Sequence, residues 1–106
     1  MKIYTIDYIP DEKIMPLGTV SGTVVNSTNV GRDIMAGFKT LVGGEIETYT
    51  KMLTEARQTA ISRMVSEAEN MGADAILNVR FGSSSIMQNA AEIIAYGTAV
   101  RILPAD

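Results

Sequence analysis

The side chains that most often bind metal ions or act as nucleophiles are missing from this sequence. Its 106 residues include no cysteine and no histidine. Soft and borderline metal ions prefer thiolate and imidazole ligands, so only carboxylates, carbonyl oxygens and thioethers are left for metal binding. A serine or threonine nucleophile needs a nearby base, and histidine is the usual one. Acid–base chemistry by a buried glutamate or lysine stays open, although no spacing singles out such a residue. We therefore predict no catalytic residue, no cofactor and no metal site.

Seven methionines offer thioether ligands for a soft ion such as Cu(I). Met52, Met64 and Met71 fall on one apolar stripe of a predicted helix, where thioethers ordinarily fill gaps in a core. Carboxylate pairs such as Glu67 and Glu69 point in different directions on a helix and do not resemble a calcium loop. We interpret the methionines as core residues and the carboxylates as a solvated helix face.

The glycines are better explained by backbone geometry than by phosphate binding. Gly43-Gly44 lacks the Gly-Lys-Ser/Thr continuation of a phosphate loop, and Gly18 with Gly22 does not follow the dinucleotide-binding pattern. Gly18 and Gly22 fall inside a predicted strand, where glycine marks a bulge, a bend or a close backbone approach. Gly43-Gly44 follows a helical pattern and is typical of a helix end.

Length and composition indicate one domain over residues 1–106. Hydrophobic residues make up 46% of the chain, and the net charge of −3 is spread without a basic stripe, so nucleic acid is not an expected partner. No apolar run has the length of a membrane span or a signal peptide, and with no cysteine the cytoplasm is the expected location. Two Phe, four Tyr and no Trp leave an aliphatic core that a partner subunit would complete.

The hydrophobic periodicity predicts an α+β fold. A first strand is expected over Ile3–Tyr8 and a second over Leu17–Val25, followed by a short helix over Val30–Val42. A long helix is expected from Glu45 to its stop at Gly72. Its apolar face comprises Tyr49, Met52, Leu53, Ala56, Ala60, Met64, Ala68 and Met71.

The last part of the sequence predicts a hairpin of two strands, Ala75–Gly82 and Glu92–Leu103, joined by a loop that includes Ser83-Ser84-Ser85. One face of this hairpin is expected to pack on the long helix. Its other face carries small or polar residues, which suits solvent, a neighbouring subunit or a pore lining. Because apolar or small residues occur on both faces of Glu92–Leu103, we expect a second subunit to cover the exposed one.

The order of motifs along nearly the whole chain resembles the YbjQ family. The motifs that carry the resemblance are Gly18-Thr19-Val20-Ser21-Gly22, Arg32-Asp33-Ile34-Met35-Ala36-Gly37, Gly43-Gly44, Tyr49, Ala56-Arg57, Gly72-Ala73-Asp74-Ala75, Arg80-Phe81, Glu92 and Tyr96-Gly97-Thr98-Ala99-Val100. The resemblance implies a small β-α-β-β domain with an extra short helix, in which one long helix packs on an antiparallel sheet. It also implies a ring-shaped homopentamer, and it implies no reaction. Part of the family is labelled as heavy-metal-binding, a label that a chain without cysteine or histidine fits poorly.

The charged positions within the family pattern are Arg32, Asp33, Arg57, Arg80 and Glu92. Their structural interpretation is that the first two begin the short helix, Arg57 lies on the solvent side of the long helix, and the last two pair across the hairpin. Their functional interpretation is a ligand or subunit-junction site, for which the candidates are Arg32, Asp33, Arg80 and Glu92. The sequence thus favours a non-enzymatic homo-oligomeric module that binds a ligand or partner at its junction or pore. The alternative is a metal-binding or metal-sensing protein that uses oxygen and methionine ligands.

Overall fold

The structure is a computed structural model that describes residues 1–26, 47–87 and 90–105. Its elements, in chain order, are β1 (Lys2–Ile3), β2 (Ile14–Asn26), α1 (Glu47–Asn70), β3 (Ala75–Met87) and β4 (Ala90–Ile102). The strands form one sheet in the order β1-β3-β4-β2, and α1 packs on one face of it. The fold is therefore α+β, as predicted. The predicted helix over Val30–Val42 and its stop at Gly43-Gly44 lie outside the described residues.

The sheet is mixed, which corrects the prediction of an antiparallel sheet. β4 is antiparallel to both β2 and β3, but β1 runs parallel to β3, with Lys2 opposite Ala75. The order of the described elements is also β-β-α-β-β rather than β-α-β-β. A parallel pair needs a long crossover connection, and β2 together with α1 lies between β1 and β3 in the chain.

The first strand is much shorter than the predicted Ile3–Tyr8. Regular pairing ends at Ile3, although Tyr4 still donates a backbone hydrogen bond to the Ile76 oxygen at 2.9 Å. The partner strand β3 is irregular just beyond this point, where Asn78 has a φ of 54°. An asparagine tolerates this left-handed conformation. Beyond Ile3 the two segments stay joined by separate hydrogen bonds, from the Val79 N–H to the Tyr4 oxygen and from the Asn78 N–H to the Ile6 oxygen, and not by a regular ladder.

The glycine-containing strand confirms the interpretation of its glycines. β2 extends the predicted Leu17–Val25 at both ends, and its register against β4 shifts between Pro16 and Gly18. Gly22 faces α1 at close range: a Cβ atom added there would clash with the Ala60 carbonyl oxygen. One glycine therefore marks a bulge, and the other lets the helix approach the sheet.

The hairpin is longer than predicted, and the expected serine loop is wrong. β3 continues through Ser83-Ser84-Ser85 to Met87, with Ser83 opposite Ile93 and Ser84 opposite Glu92. Serine has only a weak preference against strands, and pairing with the apolar β4 overrides it.

The main core lies between α1 and the sheet. The predicted helix stripe supplies Ala56, Ala60, Met64 and Ala68, all buried. Their partners on the sheet are Val20, Ile76, Val79, Ile93, Ala95 and Ala99. The helix stops as predicted at Gly72, whose φ of 78° is the left-handed conformation common after a helix end.

A smaller cluster lies on the opposite face of the sheet. It consists of Ala75, Leu77 and Val100, and it is packed against Tyr4, Ile9 and Ile14 from the N-terminal part of the chain. This N-terminal segment therefore covers one end of the face that α1 leaves uncovered.

Candidate functional site

The rest of the sheet face opposite α1 forms a surface that we call the open face. It comprises Val25, Arg80, Gly82, Glu92, Ile94 and Tyr96, whose cross-strand pairing places them on one side of β2, β3 and β4. Val25 is 58% exposed and Tyr96 is 41% exposed. Tyr96 lies between the small Ser21 on β2 and the large Arg80 on β3, and Ile94 lies beside Gly82 on β3.

Two of the predicted site residues lie on the open face, but they do not pair with each other. Arg80 stands opposite Tyr96 and Glu92 stands opposite Ser84, so four residues of strand, about 13 Å, separate the backbone positions of the two residues along the sheet. The Arg80 guanidinium instead donates a hydrogen bond of 2.9 Å to the Thr5 carbonyl oxygen. The predicted ion pair across the hairpin is therefore wrong, because the strand register keeps its partners apart.

The other two predicted site residues, Arg32 and Asp33, lie outside the described residues. Whether all four candidates meet at one junction stays a prediction.

A second feature, which we call the helix-flank groove, lies on the α1 side of the sheet. It is a depression of about 290 Å³ lined by Leu53, Arg57, Phe81, Gly82, Ser83 and Ile93. The groove exists because α1 packs closely on β2 through Gly22 and so leaves the outer part of β3 uncovered. Phe81, which forms one wall, is 46% exposed, whereas Ile93 is buried.

Among the described residues, the only ionisable side chain that lines the helix-flank groove is Arg57. It is exposed, as predicted, and its guanidinium donates a 3.3 Å hydrogen bond to the Thr54 hydroxyl oxygen. Among the side chains that the structure describes, no carboxylate forms an ion pair with Arg57. This part of the chain therefore gives the groove apolar walls and one positive charge that lacks an acidic partner.

Sequence reasoning placed Arg57 on the solvent side of the helix and did not include it among the site candidates. Helical periodicity places a residue on one side of its own helix, and it placed Arg57 correctly on the solvent side. The lateral position of the helix over the sheet depends instead on which strand allows the closest packing. The one available signal was Gly22, for which the sequence left a bulge, a bend and a close backbone approach all open.

The family model described as "Putative heavy-metal-binding" matches residues 1–103 of this chain, and the model is that of YbjQ. The chain belongs to the YbjQ family. It is 59% identical to a UPF0145 protein of Thermosipho melanesiensis, over 100% of this chain and 99% of the relative. It is 58% identical to a UPF0145 protein of Photobacterium profundum, over 94% and 97% of the two chains. Neither name states a function.

The fold of this YbjQ family member is also found in a solved structure. A crystal structure of a protein of unknown function from Pediococcus pentosaceus, assigned to the DUF74 family, superposes with a TM-score of 0.68. The match covers 97% of this chain and 98% of that one at 17% sequence identity, so it supports the fold alone.

Although α1 has 24 residues, no helix in the described part of the chain is apolar enough to cross a membrane.

The residues of this YbjQ family member do not fit the metal-binding description. The whole sequence lacks cysteine and histidine, which are the ligands that heavy metals prefer. The described residues hold no group of three or more acidic side chains placed to bind a metal. Met64, which offers a thioether, is completely buried in the apolar core against the sheet, as predicted. The prediction that Met71 is also a core residue is wrong, because Met71 follows the last residue of α1 and is 36% exposed.

Proposed function

We propose that this YbjQ family chain is a non-enzymatic binding module that works as a closed homo-oligomer, with its ligand or partner site at a subunit junction or pore. The open face is the observation that supports the proposal. The family resemblance adds the expectation of a pentamer.

The composition of the open face suits contact with a second subunit. Tyr96 and Val25 expose apolar surface, and tyrosine is enriched in protein interfaces because it buries a large ring and retains a hydroxyl group for hydrogen bonding. Gly82 and Ser21 leave space beside the larger residues, which a protruding side chain from a neighbour can fill. Burial of this surface in an assembly would supply apolar contacts that the aromatic-poor core lacks.

The charges of the open face also favour a protein partner. The face carries one positive side chain, Arg80, and one negative side chain, Glu92, separated along the strands. Because these two do not neutralise each other, an opposing surface with the reverse charges would gain from both. A second copy of this chain supplies both charges, as would the junction proposed for Arg32, Asp33, Arg80 and Glu92.

Light scattering coupled to gel filtration tests the proposal. The wild-type protein is expected to keep one oligomeric mass, that of a pentamer, across a wide dilution range. Tyr96→Arg places a charge in the buried junction and should raise the concentration at which the oligomer dissociates by at least about tenfold. The matched control is Tyr8→Arg, because Tyr8 is also a tyrosine, is 58% exposed and lies outside the open face.

Two results would contradict the proposal. One is a wild-type protein that stays monomeric at every concentration. The other is an oligomer that Tyr96→Arg leaves as stable as Tyr8→Arg does, which would place the junction elsewhere on the molecule. Circular dichroism of each variant verifies that the fold is retained.

A further inference from the structure

We infer that the helix-flank groove binds a small amphipathic anion, a short aliphatic or aromatic carboxylate whose charged group pairs with Arg57. This inference goes beyond the proposed function, because the groove lies within one chain and does not require the subunit junction.

The charge of the groove selects the head group of the ligand. Arg57 is the only ionisable residue in the described lining, and it has no acidic partner among the described residues. The guanidinium makes one hydrogen bond, to Thr54, and its remaining N–H groups can donate to a carboxylate in a bidentate arrangement. A cation would meet repulsion here and no compensating carboxylate from these residues.

The walls of the groove select the body of the ligand. Leu53, Phe81 and Ile93 present apolar surface, and the exposed part of Phe81 gains from being covered. Ser83 provides a hydroxyl group at the β3 side. At about 290 Å³ the groove lies at the lower limit of the sizes usual for small-molecule sites, roughly 300 to 1,000 Å³, so the ligand must be small.

The same features disfavour larger or multiply charged ligands. A nucleotide or an extended nucleic acid needs several cations for its phosphates, and the described lining offers one. A metal ion needs several oxygen, nitrogen or sulfur ligands, whereas this lining offers one serine hydroxyl and peptide groups. A single negative charge on an apolar body is the chemistry that uses both parts of the groove.

Nuclear magnetic resonance titration with three probes of equal chain length tests the inference. Sodium hexanoate, hexan-1-ol and hexylamine share one apolar body and differ in charge. Hexanoate is expected to shift the amide signals of Arg57, Phe81, Ser83 and Ile93, with a Kd of about 1 mM, typical of such a small ligand. Hexan-1-ol should bind about tenfold more weakly, and hexylamine should not shift these signals.

Two substitutions test separately how the charge and the shape of the groove contribute to binding. Arg57→Gln should weaken hexanoate binding about tenfold and leave hexan-1-ol binding unchanged, because only the carboxylate uses the guanidinium. Ser83→Phe should abolish the binding of both by filling the groove. The matched control is Arg101→Gln, which removes the same charge eight residues along β4 from Ile93, about 26 Å away.

Equal binding of hexanoate and hexan-1-ol, unchanged hexanoate binding by Arg57→Gln, or shifts confined to other parts of the molecule would overturn the inference. Light scattering on the same samples keeps the two proposals distinct. A monomer that binds hexanoate through Arg57 supports the groove and contradicts the assembly. A stable oligomer whose groove does not bind hexanoate supports the assembly and contradicts the groove inference.

Discussion

Gly22 of β2 lies directly beneath the backbone of Ala60 on α1, with no room for a side chain between them. A Cβ atom added to Gly22 would clash with the Ala60 carbonyl oxygen and would lie 2.9 Å from the Cβ atom of Arg63. The same close approach lets the Arg63 guanidinium donate a hydrogen bond to the Thr23 carbonyl oxygen. This contact sets the helix over β2, and the helix-flank groove beside β3 is a consequence of that position.

We expect Gly22→Ala to lower the free energy of unfolding by about 3 kcal/mol, because helix and strand backbones must move apart to admit the methyl group. Ser62→Ala is the control, because it introduces an alanine on the exposed side of α1, outside the open face and the groove. Urea denaturation of both variants at one protein concentration measures the difference. Equal losses of stability would show that the helix does not rest on Gly22.

Glu92 offers a direct test of the proposed junction. Among the described side chains Glu92 forms no ion pair, so an ion pair through Glu92 must involve a residue outside them or a second subunit. We expect Glu92→Gln to weaken assembly by about 2 to 5 kcal/mol where the junction is well desolvated, since the partner charge is left unpaired. Analytical ultracentrifugation over a dilution series measures this change.

The control for that experiment is Glu55→Gln, which neutralises an exposed glutamate on α1. Arg80→Ala should weaken assembly as well, and it should also cost about 1 kcal/mol of stability within the chain because the hydrogen bond to Thr5 is lost. Normal assembly of both Glu92→Gln and Arg80→Ala would show that these two charges are ordinary surface residues.

The donor chemistry of the chain predicts weak metal binding. With no histidine or cysteine, Zn²⁺ should bind no more tightly than it does to ordinary surface carboxylates. Calorimetry of the tag-free protein with Zn²⁺, Cu(I) and Ni²⁺ measures this. The double substitution Glu55→His with Thr59→His provides a positive control, because it places two imidazoles one helical turn apart on the exposed side of α1. A stoichiometric submicromolar site in the wild-type protein would disprove the prediction and favour the metal-binding alternative.

The sequence correctly predicted the features that depend only on residues close together in the chain. The α1 stripe through Ala60 and Met64 follows from helical periodicity, and the helix end follows from the freedom of Gly72 to adopt a positive φ. The bulge at Gly18 and the close approach at Gly22 were among the three features, with a bend, that a glycine inside a strand usually marks.

Pairing partners decided what local patterns could not. Ser83-Ser84-Ser85 is typical of a loop by composition, yet it is strand because β4 lies alongside it. The first strand was predicted too long because its length depends on its pairing with β3. The regular backbone of β3 is interrupted at Asn78, which is far from the first strand in sequence. The strand propensity of a segment depends on that segment alone, whereas its pairing in a sheet also depends on the neighbouring strand.

The sequence by itself determined the α+β class, the helix core face, the absence of thiolate and imidazole ligands, and the membership in the YbjQ family that its motifs indicated. Only the tertiary structure decided that Arg80 and Glu92 stand about 13 Å apart on one face and that Arg57 borders an apolar groove. The physical reason is that side-chain periodicity is a property of one element. Sheet register and the lateral position of a helix arise from packing between elements, here above all from the contact of Gly22 with Ala60.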